Sequence, residues 1–322
     1  MQESVDVRFF IKIKIHSYHT LFKTNIHIYT HLHPNLSSSH SLIDVINTRT
    51  HSHSEGELDS AVEWLRKNGL AKAAKMANRD ASMGLVGVSV ENGRAALVEI
   101  NAETESVVNN ALFSDLVDTV SETAARESAS EVEDLLEASC GDAKVNDEII
   151  RVAAMMGENV VLRRAAIVNG DVMGSYVHSA AQKGSRCGLS AAAVGLKVEG
   201  GSKDDESVNL LAKQICMHVV ASNPLFLDVD SVDEESKSRE EAILTEKERN
   251  DGKDEKLIPR IVTGKMNKYF KENCLLEQQF ILSEDKKDTI RKVLNDCAKE
   301  NGFDSIDIVS YLKWECSSSS QD

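Results

Sequence analysis

Nucleophilic or metal chemistry needs cysteine, histidine and carboxylate side chains at set spacings, and this sequence does not supply them. Its six cysteines, Cys140, Cys187, Cys216, Cys274, Cys297 and Cys316, are scattered, with no C-x-x-C pair. They read as thiols in a reducing compartment, not as a disulfide framework or a zinc site. Outside residues 1–54 the histidines are His178 and His218. Either could act as base for Cys187 or Cys216, but six cysteines offer such a pairing by number alone. His31, His33, His51 and His53 suggest a metal set or, more simply, a polar tail. The chain has no G-x-x-x-x-G-K-[ST] loop, no G-x-S-x-G elbow and no H-E-x-x-H pair. Neither a P-loop nor a serine or zinc hydrolase site is therefore expected. The expectation is a non-enzyme with no cofactor and no metal.

Composition points to protein partners. The 322 residues are 41% hydrophobic, enough for one or two cores. Net charge is −15, from 52 acidic and 37 basic residues. No long basic run offers a nucleic-acid face. No apolar run reaches the roughly 18 residues of a membrane span. Direct nucleic-acid and membrane partners are therefore not expected. Residues 1–54 differ from the rest: they hold Glu3, Asp6 and Asp44 as their acids and eight of the ten histidines. They are acid-poor and contain serine, as transit peptides do.

The elements that would position any site can be read from periodicity. Leu58, Ala61, Val62, Trp64 and Leu65 predict a helix over 57–68 that stops at Gly69, and residues 70–78 continue as a short basic one. The period then shortens. Leu85–Val90 and Ala95–Ile100 flank Asn92-Gly93, a strong hairpin signal because both turn residues accept positive φ. Val108, Leu112, Phe113, Leu116, Val117 and Val120 then predict one helix. A short helix capped by Asn146 runs to Gly157. A second hairpin is expected around Asn169-Gly170, with strands at 162–168 and 172–178. A strand at 190–198 follows, then a helix carrying Val208, Leu211, Ile215 and Val219.

Residues 228–256 hold twelve acids and six bases, interrupted by Asp251-Gly252. With the stripe Ile258, Ile261, Val262, Met266, Tyr269 and Phe270 they predict a helical hairpin, or else a charged linker. Ile290, Val293, Leu294 and Cys297 predict a helix ending at Asn301-Gly302. A strand over 306–315 follows, with Ile306, Ile308, Leu312 and Trp314 on one parity.

Several blocks resemble the elongation factor Ts family in order and spacing. GELDSAVEWLRKNGLAKAAKMANR (56–79) is similar to the end of its N-terminal domain. GLVGVSVENGRAALVEINAETESVVNN (84–110) and GENVVLRRAAIVNGDVMGSYVHSA (157–180) resemble its two core subdomains. LAKQICMHVVASNPLFL (211–227), IVTGKMNKYFKENCLLEQQFIL (261–282) and YLKWEC (311–316) resemble the segments after them. The resemblance implies an α+β fold: two related hairpin-plus-helix core subdomains, a protruding helical hairpin and a remnant N-terminal helix. The division expected is 1–54, an atypical leader; 55–80, a remnant of the N-terminal helical domain with its linker; 82–156 and 157–228, the core subdomains; 229–272, the arm; 273–316, a segment completing the core; and 317–322, a tail. Residues 1–54 do not resemble the family's first two helices, which fits a wrongly predicted exon or a divergent copy.

The resemblance also implies a function: binding to elongation factor Tu in its GDP-bound form and promotion of GDP-to-GTP exchange. The family's T-D-F-V motif falls on Thr104, Glu105, Ser106 and Val107. Its aromatic, which enters the GTPase near the magnesium site, is replaced here by Ser106. Gly157, Glu158 and Asn159 match its G-E-N turn, and Gly157 also suits a helix C-cap. His178 matches the partner-facing histidine of G-S-Y-x-H, or is a polar strand-end residue. Ile281 and Leu282 fall in its C-terminal contact segment, or in the core. The alternative function is binding or stabilising elongation factor Tu with impaired exchange. The G-S-Y-V-H text and the leader resemble mitochondrial members, so mitochondrial placement is expected; another organelle or a bacterial-type cytoplasm is the alternative.

Overall fold

The computed structural model describes residues 69–203, 205–283 and 287–316. The expected helix at 57–68, the histidine cluster and the tail at 317–322 lie outside them. The fold is α+β, and its strands use their two parities to serve different cores. β1 (Met83–Glu91) and β2 (Arg94–Ala102) close the first expected hairpin. Asn92 and Gly93 take φ of 51° and 74°, the left-handed pair that a two-residue turn requires. On β2, Ala96, Val98, Ile100 and Ala102 face one core, while Ala95 and Leu97 face another.

Where the spacing predicts one helix from Val108, two are formed: α1 (Glu105–Val108) and α2 (Ala111–Glu127). Asn110 divides them, its Oδ1 accepting from Leu112 N at 3.0 Å, the capping bond that starts a new helix. α2 lays Phe113, Leu116, Val117 and Val120 into the core against β1 and β2. Next come α3 (Val132–Glu137), the small ribbon β3 (Ser139–Cys140) and β4 (Ala143–Lys144), and α4 (Val145–Met156). Asn146 is not the cap of α4; it lies in the first turn, and Lys144 holds the N-cap position. Gly157 ends α4 at φ 76°, the expected left-handed cap.

The second Asn-Gly pair does not close a hairpin. β5 (Val160–Asn169) pairs with β2, and β6 (Val172–Ala180) pairs with β7 (Cys187–Glu199). A Cβ at Gly170 would lie 2.7 Å from Gly195 Cα and 2.9 Å from Leu196 N. Glycine is needed there for close backbone approach, where the chain crosses from one half of the sheet to the other.

The last strand is β8 (Ser305–Glu315), antiparallel to β7. Gly195 faces Ser310 while Leu196 faces Ile308, so Val309 is an extra residue. This bulge breaks the single parity expected for β8. Ile306 and Ile308 join the core under the second helix layer; Leu312 and Trp314 turn to the opposite face.

The halves β5-β2-β1 and β6-β7-β8 meet at two pairs, Val86↔Gly188 and Gly87↔Cys187. Their inner faces share a core built on Val86, Val88, Leu97, Val168, Ala191 and Ala193. α2 and α4 pack on the first half's outer face, and α5 (Glu206–Ser222) and α8 (Ile290–Asn301) on the second's. α6 (Glu234–Asn250) and α7 (Ile258–Asn273) pack together as the expected helix pair. Asp233 caps α6, accepting from Ser236 N at 2.8 Å, and Pro259 sits in the first turn of α7. Glu248, only 2% exposed, pairs with Lys265 across them. All six cysteines are free thiols. Among the described residues no helix is long and apolar enough to cross a membrane.

Candidate functional site

Two segments far apart in sequence, 103–107 and 157–159, are brought together by the β2–β5 pairing, which sets Ala102 opposite Val160. The chain leaves β2 at Glu103 and enters β5 from the α4 cap at Gly157. The two turns then exchange carboxylates. Glu158 Oε2 accepts from Thr104 N at 3.0 Å and its Oε1 from Thr104 Oγ1 at 2.6 Å. In the other direction, Glu103 Oε1 accepts from Asn159 N at 2.6 Å. Each turn therefore satisfies a backbone donor of the other with a charged acceptor, the stronger kind of hydrogen bond. Asn159 is buried, and its Nδ2 donates to Arg79 O at 2.8 Å. Arg79 in turn pairs with Glu103 at 3.5 Å. The end of the helix at 69–76 is thus tied into the same knot.

This knot decides what α1 shows to solvent. Thr104 is its N-cap residue in extended conformation, with its hydroxyl committed to Glu158. Glu105 and Ser106 are exposed in the first turn. Val107 and Val108 are buried in the first core. Of the four motif residues, Val107 anchors from below, and Glu105 and Ser106 face outward.

The other candidates lie on the second half. His178 is exposed near the end of β6, with Nδ1 3.4 Å from Tyr176 OH. Ser179 after it has φ 51°, in the left-handed region, while β6 keeps its register to Ala180 opposite Gly188. Ile281 and Leu282 are 40% and 45% exposed, not core; the buried neighbour is Phe280. Their turn is fixed by Phe280 N donating to Asp288 O at 2.8 Å and Ser283 N to Phe280 O at 3.1 Å.

The cysteine–histidine combination is not assembled. His178 bonds to Tyr176, and His218 to Gln278 at 2.9 Å. Burial pushes the Cys187 and Cys216 thiols up, holding them protonated and poorly nucleophilic. Among the described residues no group of three or more metal-ligating side chains comes together.

Sequence reasoning missed Glu103 and Arg79, because the knot depends on the β2–β5 pairing and not on any local spacing. It weighed His218 only as a base for a cysteine, and it passed over Gln278. For His218 a signal existed: position 218 continues the apolar stripe of α5 three residues after Ile215, so a histidine there must be buried.

Residues 103–317 match the family model described as Elongation factor TS. The Elongation factor Ts of Paramagnetospirillum magneticum is 40% identical over 251 residues, covering 77% of this chain and 78% of its own. That of Paracoccus denitrificans is 39% identical over 230 residues, 71% and 75% of the two chains. That of Clostridium botulinum is 39% identical over 268 residues, 81% and 83%.

Proposed function

The chain belongs to the elongation factor Ts family, a translation elongation factor, and from that premise we propose that it binds elongation factor Tu in its GDP-bound form and promotes exchange of GDP for GTP. The exchange of carboxylates between Thr104–Glu158 and Glu103–Asn159 carries this reading. It holds a solvent-facing turn rigidly at the one place where the family motif falls. A pre-ordered turn loses little conformational freedom on docking. Glu105 and Ser106 meet the partner, Val107 supports them, and Gly157, Glu158 and Asn159 hold the turn. His178 and the pair Ile281–Leu282 are further contacts, and the α6–α7 helix pair is another. No covalent bond is made or broken. The work is differential binding: a factor that prefers the nucleotide-free GTPase weakens its hold on nucleotide by the same ratio.

Ser106 favours a second reading. A serine has little apolar surface to insert where the family places an aromatic, and such an anchor is worth about 2 kcal/mol or more. A chain with this change would bind and stabilise elongation factor Tu while exchanging nucleotide slowly. Affinities for nucleotide-free and GDP-loaded elongation factor Tu, measured by titration calorimetry, separate the readings. Strong preference for the nucleotide-free form supports exchange; equal affinity supports stabilisation alone.

The compartment proposed is the mitochondrion, on the G-S-Y-V-H text (174–178) and the leader at 1–54. The relatives named above are bacterial proteins, and a bacterial-type cytoplasm or another organelle is the other setting. Imaging a full-length fusion tests it: cytosolic signal would remove the organellar placement.

A further inference from the structure

His218 is fully buried on α5, yet it is bonded at both ring nitrogens. The surrounding bonds assign its tautomer. Gln278 Nε2 donates to Glu272 O at 2.7 Å, so the Gln278 oxygen faces His218 Nε2 at 2.9 Å. An amide oxygen only accepts, so Nε2 carries the proton and Nδ1 is left as an acceptor. Nδ1 meets two donors, Ile281 N at 3.4 Å and Ser222 Oγ at 3.5 Å. The Phe280 ring lies beside the imidazole, with centroids 5.9 Å apart. A relay therefore runs from Glu272 in the last turn of α7, through Gln278 and His218, to the backbone of the exposed Ile281–Leu282 turn.

We propose that His218, as the neutral Nε2–H tautomer, is the positioning residue that sets the Ile281–Leu282 turn against the base of the α6–α7 helix pair for partner binding. The proposal rests on the reading that Ile281 and Leu282 contact elongation factor Tu. Both the turn and the helix pair leave the core within a few residues of this relay. A single buried imidazole thus fixes the relation between two contact surfaces. Burial depresses the basicity of His218, which keeps Nδ1 unprotonated near neutral pH. A charged ring would point a second N–H at the Ile281 amide and break the relay.

The test uses the full chain with cognate elongation factor Tu·GDP. His218→Gln keeps a donor toward Gln278 but loses the Nδ1 acceptor, whereas His218→Asn can still offer an acceptor near the Nδ1 position. In His218→Gln, exchange of the Ile281 amide with solvent should speed up, and affinity for the GTPase should fall about tenfold, the size of one lost hydrogen bond. The amides of β7 should stay as protected as in the wild type, and His218→Asn should recover most of both effects. Unchanged Ile281 exchange in His218→Gln would overturn the proposal. So would faster exchange with unaltered affinity, provided Ile281→Asp abolishes binding. If Ile281→Asp itself binds normally, the contact reading fails instead, and with it the functional part of the proposal. Nitrogen-15 spectra of wild-type His218 give an answer even if the variants do not fold: a protonated Nδ1 near neutral pH would overturn the assignment.

Discussion

Ser106 stands exposed in the first turn of α1, with Val107 and Val108 buried beneath it. A larger side chain at 106 would project outward without disturbing the core. Ser106→Phe is therefore expected to leave stability nearly unchanged and to speed GDP release by about tenfold or more, since 1.4 kcal/mol of transition-state stabilisation is a factor of ten. Glu158→Ala should do the opposite. It removes the acceptor for two Thr104 donors, loosening the turn, and should slow release severalfold, read from the same fluorescence trace. A trace unmoved by Glu158→Ala would show that the turn's order is irrelevant to exchange. His218 gives a pH signature. Burial lowers its pKa below the ordinary 6.5, so just below that value the unfolded chain takes up a proton that the folded one refuses. Stability is then lost as pH falls through the window beneath 6.5. The groups meeting its ring nitrogens, Gln278, Ser222 and the Ile281 amide, are uncharged, so none masks the effect. Urea midpoints should drop more steeply in the wild type than in His218→Gln between about pH 7 and pH 5; parallel profiles would contradict this. At this scale the sequence showed which residues matched a motif but not which way they faced. Ser106 outward and Val107 inward follow from the four-residue helix and its cap, set by Asn110 and by a carboxylate more than fifty residues away.

Among the elements, the two Asn-Gly pairs show what a local signal can and cannot say. At Asn92-Gly93 the dipeptide takes left-handed φ and makes a hairpin. At Asn169-Gly170 the same letters serve a close crossing against Gly195, and no turn chemistry distinguishes the cases. The helices were legible wherever an apolar stripe met a cap, as at Gly157 and Gly302. The bulge at Val309 was not, because an extra residue leaves no mark on composition. Its importance is testable. Deleting Val309 would set Ile308 opposite Leu196 and Ser310 opposite Gly195 as consecutive pairs, an unbroken ladder with Ile306 and Ile308 still on one face and Leu312 and Trp314 on the other. Val309 is itself exposed, so Tm should move little on its deletion; a large fall in Tm would show that the bulge is needed to keep the two faces apart. In the helix pair, Lys265→Ala would leave the buried Glu248 without its cation. Lys265 is itself partly exposed, so the expected loss is about 1–2 kcal/mol. It should appear as faster amide exchange in α6 with β7 unaffected.

For the whole molecule, the chain weaves between two half-sheets so that each helix layer covers one outer face and the inner faces share a core. This arrangement brings 103–107 to 157–159 and, separately, gathers α5, the end of α7 and the 278–282 turn around His218. Both knots rest on pairings between distant segments, which is why the α+β class and most element spans could be read from residue patterns while the sites' bonding could not. The function proposed for this chain is to accelerate nucleotide release from its GTPase through the turn at 104–107. Stopped-flow release of a fluorescent GDP from cognate elongation factor Tu tests it most directly, with saturating wild-type chain and then saturating Ser106→Phe. Release should be faster than the GTPase's own with the wild type, and faster again by about tenfold with the variant. Release at the intrinsic rate with both, although the complex forms, would contradict it.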